Sequence, residues 1–394
     1  MAKNGLGKIK IPVCWPSTTQ KETKWVLKAL KENKISSTAG FVELFEKEFA
    51  KKIGTRYCVA VNSGYSALFL ALRALGIGKG DEVIVPDFTM IATANAVSAV
   101  GAIPVFVDAR WDTCNINTDL IEEKITPRTK AIIPVHLYGH PCEMDEILEI
   151  ARRYNLFVIE DAAEAHGAEY KGKMVGSLGD VSCFSFYANK IITTGEGGAI
   201  ATNNKKLAED LRRLRAYYFT PGTHFWHKKM AWNFRMSSIE AAYGLGQLER
   251  WNELIEKRRE NAMYYSERLE GVGDLELPVE KENVKNVYWM YLIKTRERDR
   301  LMEFLEKKGI ETRTGFFPMH WQPIYKQKGD FPVADKLGKQ TMYLPSAPDL
   351  SKKQMDYIIK YVREFFKEKN LNNWSWRNWE CSGTSVGRNL LYMD

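Results

Sequence analysis

Between residues 56 and 218, short β-branched runs alternate with stretches of helical character. Tyr57-Cys-Val-Ala-Val61, Val83-Ile-Val85, Val105-Phe-Val107, Ala131-Ile-Ile-Pro-Val135 and Phe157-Val-Ile159 read as strands, each followed by a helix-like segment. That rhythm predicts an α/β fold with a mostly parallel sheet covered on both faces. In such sheets the chemistry gathers at the carboxyl ends of the strands. Leu207, Leu211 and Leu214 recur at helical spacing, as do Ile239, Ala242, Leu245 and Leu248, and both stripes read as core or subunit-packing faces. The stretch from Ser237 to Leu269 predicts one long helix leading to a second domain.

A chain of 394 residues exceeds what one hydrophobic core usually serves. Residues 1–250 are expected to form a large domain and residues 251–369 a smaller C-terminal α+β domain, whose own strands begin near Pro278. There Val287-Tyr-Trp-Met-Tyr-Leu-Ile293 reads as a strand and Arg298 to Lys308 as a helix. A last helix opens on the capping pattern Ser351-Lys-Lys-Gln354, carries Met355, Ile358, Ile359, Val362 and Phe366 on one face, and is expected to end near Lys369. Residues 370–394 form a tail with Trp374, Trp376 and Trp379, which either dock on an apolar surface or belong to a frayed end.

Composition narrows the function classes. The net charge of +8 arises from 57 basic and 49 acidic residues spread along the chain, which suits attraction of anionic small molecules or a solvated surface, and no nucleic-acid motif accompanies it. The six cysteines show neither metal-ligand spacing nor disulfide density, so no metal is expected and the thiols read as reduced. No apolar run is long enough to span a bilayer and the first residues lack a signal-peptide core, so a cytoplasmic protein is expected.

The candidate chemistry centres on Lys190, which follows the apolar Ser185-Phe-Tyr-Ala-Asn189 and precedes Thr193-Thr-Gly-Glu-Gly-Gly198. Some thirty residues earlier, Asp161 ends the apolar run Leu156-Phe-Val-Ile159 and begins Asp161-Ala-Ala-Glu164-Ala-His-Gly167. Pyridoxal 5'-phosphate requires this pairing: a carboxylate that keeps the pyridine nitrogen protonated and an amine that sheds its charge readily enough to attack an aldehyde. Asn62-Ser63-Gly64-Tyr65-Ser66 follows a strand and opens a helix, so its amides either hold a phosphate or make an ordinary strand-to-helix turn. Ser66 and Ser185 offer hydroxyl donors beside it.

Taken in order, that turn, Pro86-Asp-Phe-Thr-Met-Ile-Ala-Thr-Ala-Asn95, Glu160-Asp-Ala-Ala-Glu-Ala-His-Gly167, Asn189-Lys190, the glycine turn and Trp232-Asn-Phe-Arg-Met-Ser-Ser-Ile-Glu-Ala-Ala242 carry a family likeness. The chain resembles the DegT/DnrJ/EryC1/StrS family of nucleotide-sugar aminotransferases over roughly residues 10 to 368. The resemblance implies the aspartate-aminotransferase-like fold, fold type I. It makes Lys190 the Schiff-base lysine, Asp161 the partner of the pyridine nitrogen, and Glu164 a neighbour of the phenolic oxygen. Met90 falls where a side chain covers one face of the ring, and Ser66, Ser185 and the amides from Gly64 to Ser66 would bind the phosphate. Tyr65 stands where the family usually has threonine, which alters that contact.

The likeness further implies a homodimer with shared active sites, because Asn233 matches an asparagine that reaches the neighbouring subunit's cofactor. Arg313 and His320 lie in segments near the nucleotide-sugar pocket and are the candidate substrate ligands. The implied donor is L-glutamate and the acceptor a nucleotide-linked keto sugar. The Asn-Lys pair and the glutamate in the acidic motif look most like the perosamine and viosamine synthases, which aminate C4 of a 4-keto-6-deoxyhexose. Related enzymes acting at C3, or on GDP-, dTDP- or UDP-sugars, share most of these motifs. A related sugar dehydratase would carry histidine in place of Lys190, and a non-catalytic relative would have lost the lysine, aspartate and serines.

Overall fold

The computed structural model describes residues 10–38, 40–219, 222, 225–325 and 329–380, with side chains as far as residue 367. Helix α1 (Gln20–Lys31) opens on a capping box in which Thr19 and Glu22 satisfy each other's backbone amides, and α2 (Phe41–Ile53) follows. The alternating region then supplies β1 (Tyr57–Val61), α3 (Gly64–Ala74), β2 (Glu82–Pro86), α4 (Ile91–Ala99), β3 (Ile103–Val107), β4 (Thr129–Ile132), α5 (Met144–Tyr154) and β5 (Phe157–Asp161). A short hairpin, β6 (Glu169–Tyr170) and β7 (Lys173–Met174), precedes β8 (Val181–Ser185), β9 (Gly198–Thr202) and α6 (Lys205–Leu214).

Seven of these strands form one sheet in the order β1-β9-β8-β5-β4-β2-β3. Neighbours from β8 to β3 run parallel, while β9 is antiparallel to both β1 and β8. Successive residues point to opposite faces, and both faces are covered. Ile84, Val107, Ile132 and Val158 pack with Met144, Ile147 and Ile150 of α5, whereas Val83, Val85, Ile159 and Phe184 join the larger core with α2 and α3. The expected mostly parallel, doubly covered sheet is therefore present.

Next come α7 (Ser238–Leu248), α8 (Trp251–Leu269), β10 (Val284–Lys285), β11 (Tyr291–Lys294), α9 (Arg298–Lys307), β12 (Arg313–Thr314), α10 (Pro332–Gln340), β13 (Thr341–Leu344) and α11 (Lys352–Glu380). A three-stranded sheet, β11-β13-β12, shares a second core with α8, α9 and α11. Ile11 bridges to Ile310 and enters this second core, so the N-terminal segment packs on C-terminal elements.

Three expectations change. The helix expected from Ser237 to Leu269 breaks at Arg250 (φ −108°, ψ 12°). There the buried guanidinium donates to Ser17 O at 3.0 Å, Ser17 Oγ at 2.8 Å and Glu22 Oε1 at 3.1 Å, which ties the break to the N-terminal segment. The strand expected over Val287–Ile293 starts only at Tyr291, because Val287 and Trp289 donate their amides to Gly139 O and Tyr138 O, and Tyr288 sits at φ +46°. The last helix keeps its Ser351–Gln354 cap but runs on to Glu380 instead of ending near Lys369. It takes in the backbone of Trp374, Trp376 and Trp379; residues 381–394, Cys381 among them, lie outside the described residues.

Among the described residues Cys14, Cys58, Cys114, Cys142 and Cys183 are free thiols, no acidic or thiol cluster suits a metal ion, and no helix is long and apolar enough to cross a membrane. The Glu22–Arg250 pair has both side chains at most 1 % exposed. Burial alone would raise the Glu22 pKa, but hydrogen bonds from Thr19 and Arg250 outweigh it and hold the carboxyl below its ordinary value. Arg250 also pairs with Glu253 at 2.9 Å, so Glu22→Ala removes one of two carboxylate partners and is expected to cost about 2 kcal/mol in urea unfolding at pH 7. A depressed carboxylate contributes fully above its unfolded pKa and loses that contribution as pH falls through the folded one, so the gap between parent and variant narrows by pH 3. An equal gap at both pH values would contradict the assignment.

Candidate active site

Strand β5 ends on two buried carboxylates that point opposite ways. Glu160 accepts the amides of Gly176, Leu178 and Gly179 at 2.7–2.8 Å and closes the turn before β8. Asp161 faces α4: Oδ2 accepts from Thr93 Oγ1 at 2.7 Å and Oδ1 from the amide of Ala163 at 3.2 Å. Burial pushes the Asp161 pKa up, against the hydrogen bonds and the charge of Lys190. Neither hydrogen-bond partner carries a charge.

One turn further on, Glu164 meets Lys190. Glu164 Oε1 accepts from Lys190 Nζ at 3.2 Å and Oε2 from the amide of Tyr138 at 2.9 Å. The lysine side chain is 11 % exposed and the glutamate 3 %. Burial raises the Glu164 pKa, and the Lys190 charge opposes it. His166, from the same acidic motif, is enclosed by Phe49, Phe184, Phe186 and Trp251. Its pKa is pushed down to about 3 by burial and then by Lys190 and Arg258, so it is neutral and adds no positive charge beside the lysine.

The amino end of α3 lies against the carboxyl end of β8. Ser63 is the N-cap, accepting the amide of Ser66, and Ser66 Oγ donates to Asn62 Oδ1 at 2.7 Å. A Cβ on Gly64 would lie 2.7 Å from Ser185 Cβ, so only glycine lets the turn approach this closely. Gly64, Ser66 and Ser185 therefore share one corner with the positive end of the α3 dipole. The neighbouring Tyr65 is 38 % exposed.

The other candidates sit around this centre. Met90 is the N-cap of α4, one turn before Thr93, and is half-exposed. Asn233 is exposed; the following Phe234 O accepts the Asn62 amide at 2.9 Å and Arg235 bridges to Val61, which brings this segment beside the α3 turn. Arg313 on β12 pairs with Glu311 at 3.2 Å and stands opposite Tyr343, a phenol whose pKa burial raises and whose surroundings include Arg313 and Glu164. His320 is tied at both nitrogens, Nδ1 to Asp87 Oδ2 at 2.6 Å and Nε2 to Asp335 Oδ1 at 3.2 Å. Its expected contact with substrate thus meets an imidazole already engaged as a tether.

Thr93, Tyr138 and Asp87 were not singled out from the sequence. Thr93 and Asp87 lie within the Pro86–Asn95 motif, where the motif itself was the available signal, whereas Tyr138 acts through its backbone amide, which no residue type announces.

This donor set fits pyridoxal 5'-phosphate. A buried carboxylate with only neutral hydrogen-bond partners suits a protonated pyridine nitrogen, a lysine steadied by a carboxylate suits an aldehyde, and the amino end of α3 suits a phosphate. Residues 16–363 match the model of the DegT/DnrJ/EryC1/StrS aminotransferase family. The chain belongs to that family. As a DegT/DnrJ/EryC1/StrS aminotransferase it is 45% identical to GDP-perosamine synthase of Escherichia coli O157:H7, covering 91% of this chain and 99% of that one. It is 41% identical to dTDP-3-amino-3,4,6-trideoxy-alpha-D-glucose transaminase of Streptomyces venezuelae, covering 82% and 86%. The PLP-form structure of the putative sugar aminotransferase Spr1654 from Streptococcus pneumoniae superposes with a TM-score of 0.86 at 29% identity, over 91% of this chain and 99% of that one. The family is PLP-dependent, and its members imply a nucleotide keto sugar and an amino donor as reactants.

Lys190→Ala is expected to keep its fold, to hold no cofactor through a borohydride-reducible bond, and to lose turnover by on the order of 10³-fold or more. Mass spectrometry after reduction, with circular dichroism as the folding control, checks this; a reduced adduct still present in the variant would overturn it. Asp161→Ala is expected to release cofactor on dialysis that the parent retains.

Proposed function

We propose that the chain transfers the amino group of L-glutamate to C4 of a nucleotide-linked 4-keto-6-deoxyhexose, giving a 4-amino-4,6-dideoxy sugar for glycan assembly, in the manner of GDP-perosamine synthase. One observation carries the choice: the likeness to GDP-perosamine synthase covers more of both chains, at higher identity, than the likeness to the dTDP-sugar transaminase. The second similarity keeps one other reading open, amination of a dTDP-linked sugar at C3.

When bound, pyridoxal phosphate supplies the aldehyde that carries the amino group and a ring that spreads the electron pair left when a carbon loses its proton. In this reading Asp161 holds the proton on the ring nitrogen, and burial with neutral partners makes that cation its natural complement. Glu164 steadies Lys190 Nζ and would face the cofactor's phenolic oxygen. Ser66, Ser185 and the α3 amides from Gly64 to Ser66 would hold the phosphate, and Met90 would cover one face of the ring. Lys190 Nζ removes the proton from the α-carbon of glutamate and, in the second half of the cycle, returns one to C4 of the sugar. Arg313 pairs with the substrate's diphosphate. His320 holds its segment against Asp87 and Asp335.

The same reading makes the working unit a homodimer in which Asn233 reaches the partner's cofactor phosphate. Exposed Phe225, Trp226 and Met230 directly before Asn233 support it, since a cluster of this kind favours cover by another surface.

Incubation of the purified holoenzyme with L-glutamate and, separately, a GDP-linked 4-keto-6-deoxyhexose, a dTDP-linked 4-keto-6-deoxyhexose and a dTDP-linked 3-keto-6-deoxyhexose tests the proposal. The expected result is one 2-oxoglutarate per amino sugar, with NMR placing the amine on C4 of the GDP-linked product. An amine at C3, or turnover confined to dTDP-sugars, would favour the second reading instead. In sedimentation the parent is expected as a dimer, and Asn233→Ala as a dimer with weakened cofactor binding; an active monomer would refute the shared site.

A further inference from the structure

Trp289 is buried between the two parts of the chain that meet at Lys190, and none of the roles above uses it. It is 4 % exposed and lies ahead of β11, outside any strand. Lys190 Nζ stands 3.8 Å from its ring centroid. Its indole Nε1 donates to the carbonyl of Asn189, the residue before the lysine, at 2.8 Å. One side chain thus addresses the reactive amine by its face and the amine's own backbone by its edge.

The tryptophan is itself held on every side. Its amide donates to Tyr138 O at 2.9 Å, its carbonyl accepts from Arg258 Nη1 at 2.6 Å, and its ring stacks on Tyr138 with centroids 6.1 Å apart and planes within 17°. Tyr138 donates its amide to Glu164, the other partner of Lys190. Arg258, also buried, reaches Asn189 O at 3.5 Å. The approach is tight: a Cβ on Gly139 would lie 2.9 Å from the Tyr288 amide nitrogen, and both Tyr138 and Tyr288 take left-handed backbone, at φ +55° and +46°. Such conformations persist only where the surroundings over-determine them.

We infer that Trp289 is a positioning residue for Lys190, its ring face guiding the nitrogen beside Glu164 while its N–H fixes the carbonyl from which the lysine side chain is launched. The inference rests on Lys190 being the reactive amine. It explains why tryptophan stands here: phenylalanine has a face and no donor, leucine has neither, and a lysine side chain has enough rotatable bonds to need both. A nitrogen that must be freed and then act as a base gains most from a wall that limits its swing, because a small misplacement of a reacting group costs on the order of 10²-fold in rate.

Two variants of the holoenzyme test it, read by kcat and KM and by the pH at which the bound cofactor's long-wavelength absorption is half lost. An aromatic face favours the cationic nitrogen, so Trp289→Leu is expected to move that midpoint down by at least about half a pH unit and to lower kcat on the order of 10²-fold, with KM for glutamate nearly unchanged. Trp289→Phe keeps the face but loses the donor to Asn189 O, so it should hold the parental midpoint and recover only part of the kcat lost in the leucine variant. Parental kcat and midpoint in Trp289→Leu would overturn the inference. So would a kcat loss with an unmoved midpoint, which marks packing alone, or a Phe variant no better than Leu. If Lys190→Ala retained the covalent bond, the lysine assignment would fail first, independently of Trp289.

Discussion

A carboxylate buried at the end of a parallel strand must be matched by donors or a cation, and among the described residues the hydrogen bonds at Asp161 come from a neutral hydroxyl and an amide. Much of the active centre follows from that constraint. The strand carrying Asp161 is central in the sheet, flanked by β4 and β8, so the carboxyl group is fixed by the register of its neighbours. A group held this rigidly and this dry suits a cationic ring nitrogen better than water does, which is what an electron-sink cofactor needs beneath it. Glu160, its neighbour in sequence, faces the other way and spends its oxygens on three amides of a turn. Alternation along one strand separates an acid bound up in a turn from the one proposed to serve the chemistry.

Placement of the other groups depends on how closely separate elements can approach. The α3 turn reaches Ser185 because Gly64 has no side chain, and the loop that carries Lys190 returns to the sheet through β9, the one reversed strand. Glu164 then joins the lysine to the Tyr138 backbone, and through the stacked Trp289 to the segment leading into β11. Asp161 and Ser185 end strands and Gly64 and Ser66 open a helix, whereas Glu164, Tyr138 and Trp289 around the lysine lie on irregular backbone.

That division explains what was legible in the sequence. The strands β1 to β5, the α3 turn, Asp161, Glu164 and Lys190 announce themselves because apolar runs and short motifs are local signals, and the structure gathers those three side chains at one place. The break at Arg250 was hidden because helical periodicity continues across it, while its cause is a charge more than two hundred residues away at Glu22. The shortened strand before Tyr291 was hidden in the same way: its apolar residues have strand character, but their amides are claimed by Tyr138 and Gly139. His320 read as a ligand through the family likeness of its segment, and the fold adds Asp87 and Asp335 at its two nitrogens. At Arg250 and before Tyr291 a contact distant in sequence overrode a local preference.

The same distribution bears on how relatives can differ in substrate while sharing the cofactor chemistry. Asp161, Glu164 and Ser185 are built into the central sheet or the turn that follows it, where a change of geometry would disturb two packed faces at once. Arg313, His320 and Tyr343 instead lie on the small sheet and the segment after it, joined to the large sheet by discrete contacts such as His320–Asp87 and the Asp108 carboxylate that caps α10. On the proposed reading, substitutions there would alter a wall of the site without moving Asp161 or Lys190. A fold arranged in this way could vary the sugar or nucleotide accepted while the amine chemistry stays in place, and this chain is similar to both a GDP-sugar and a dTDP-sugar enzyme.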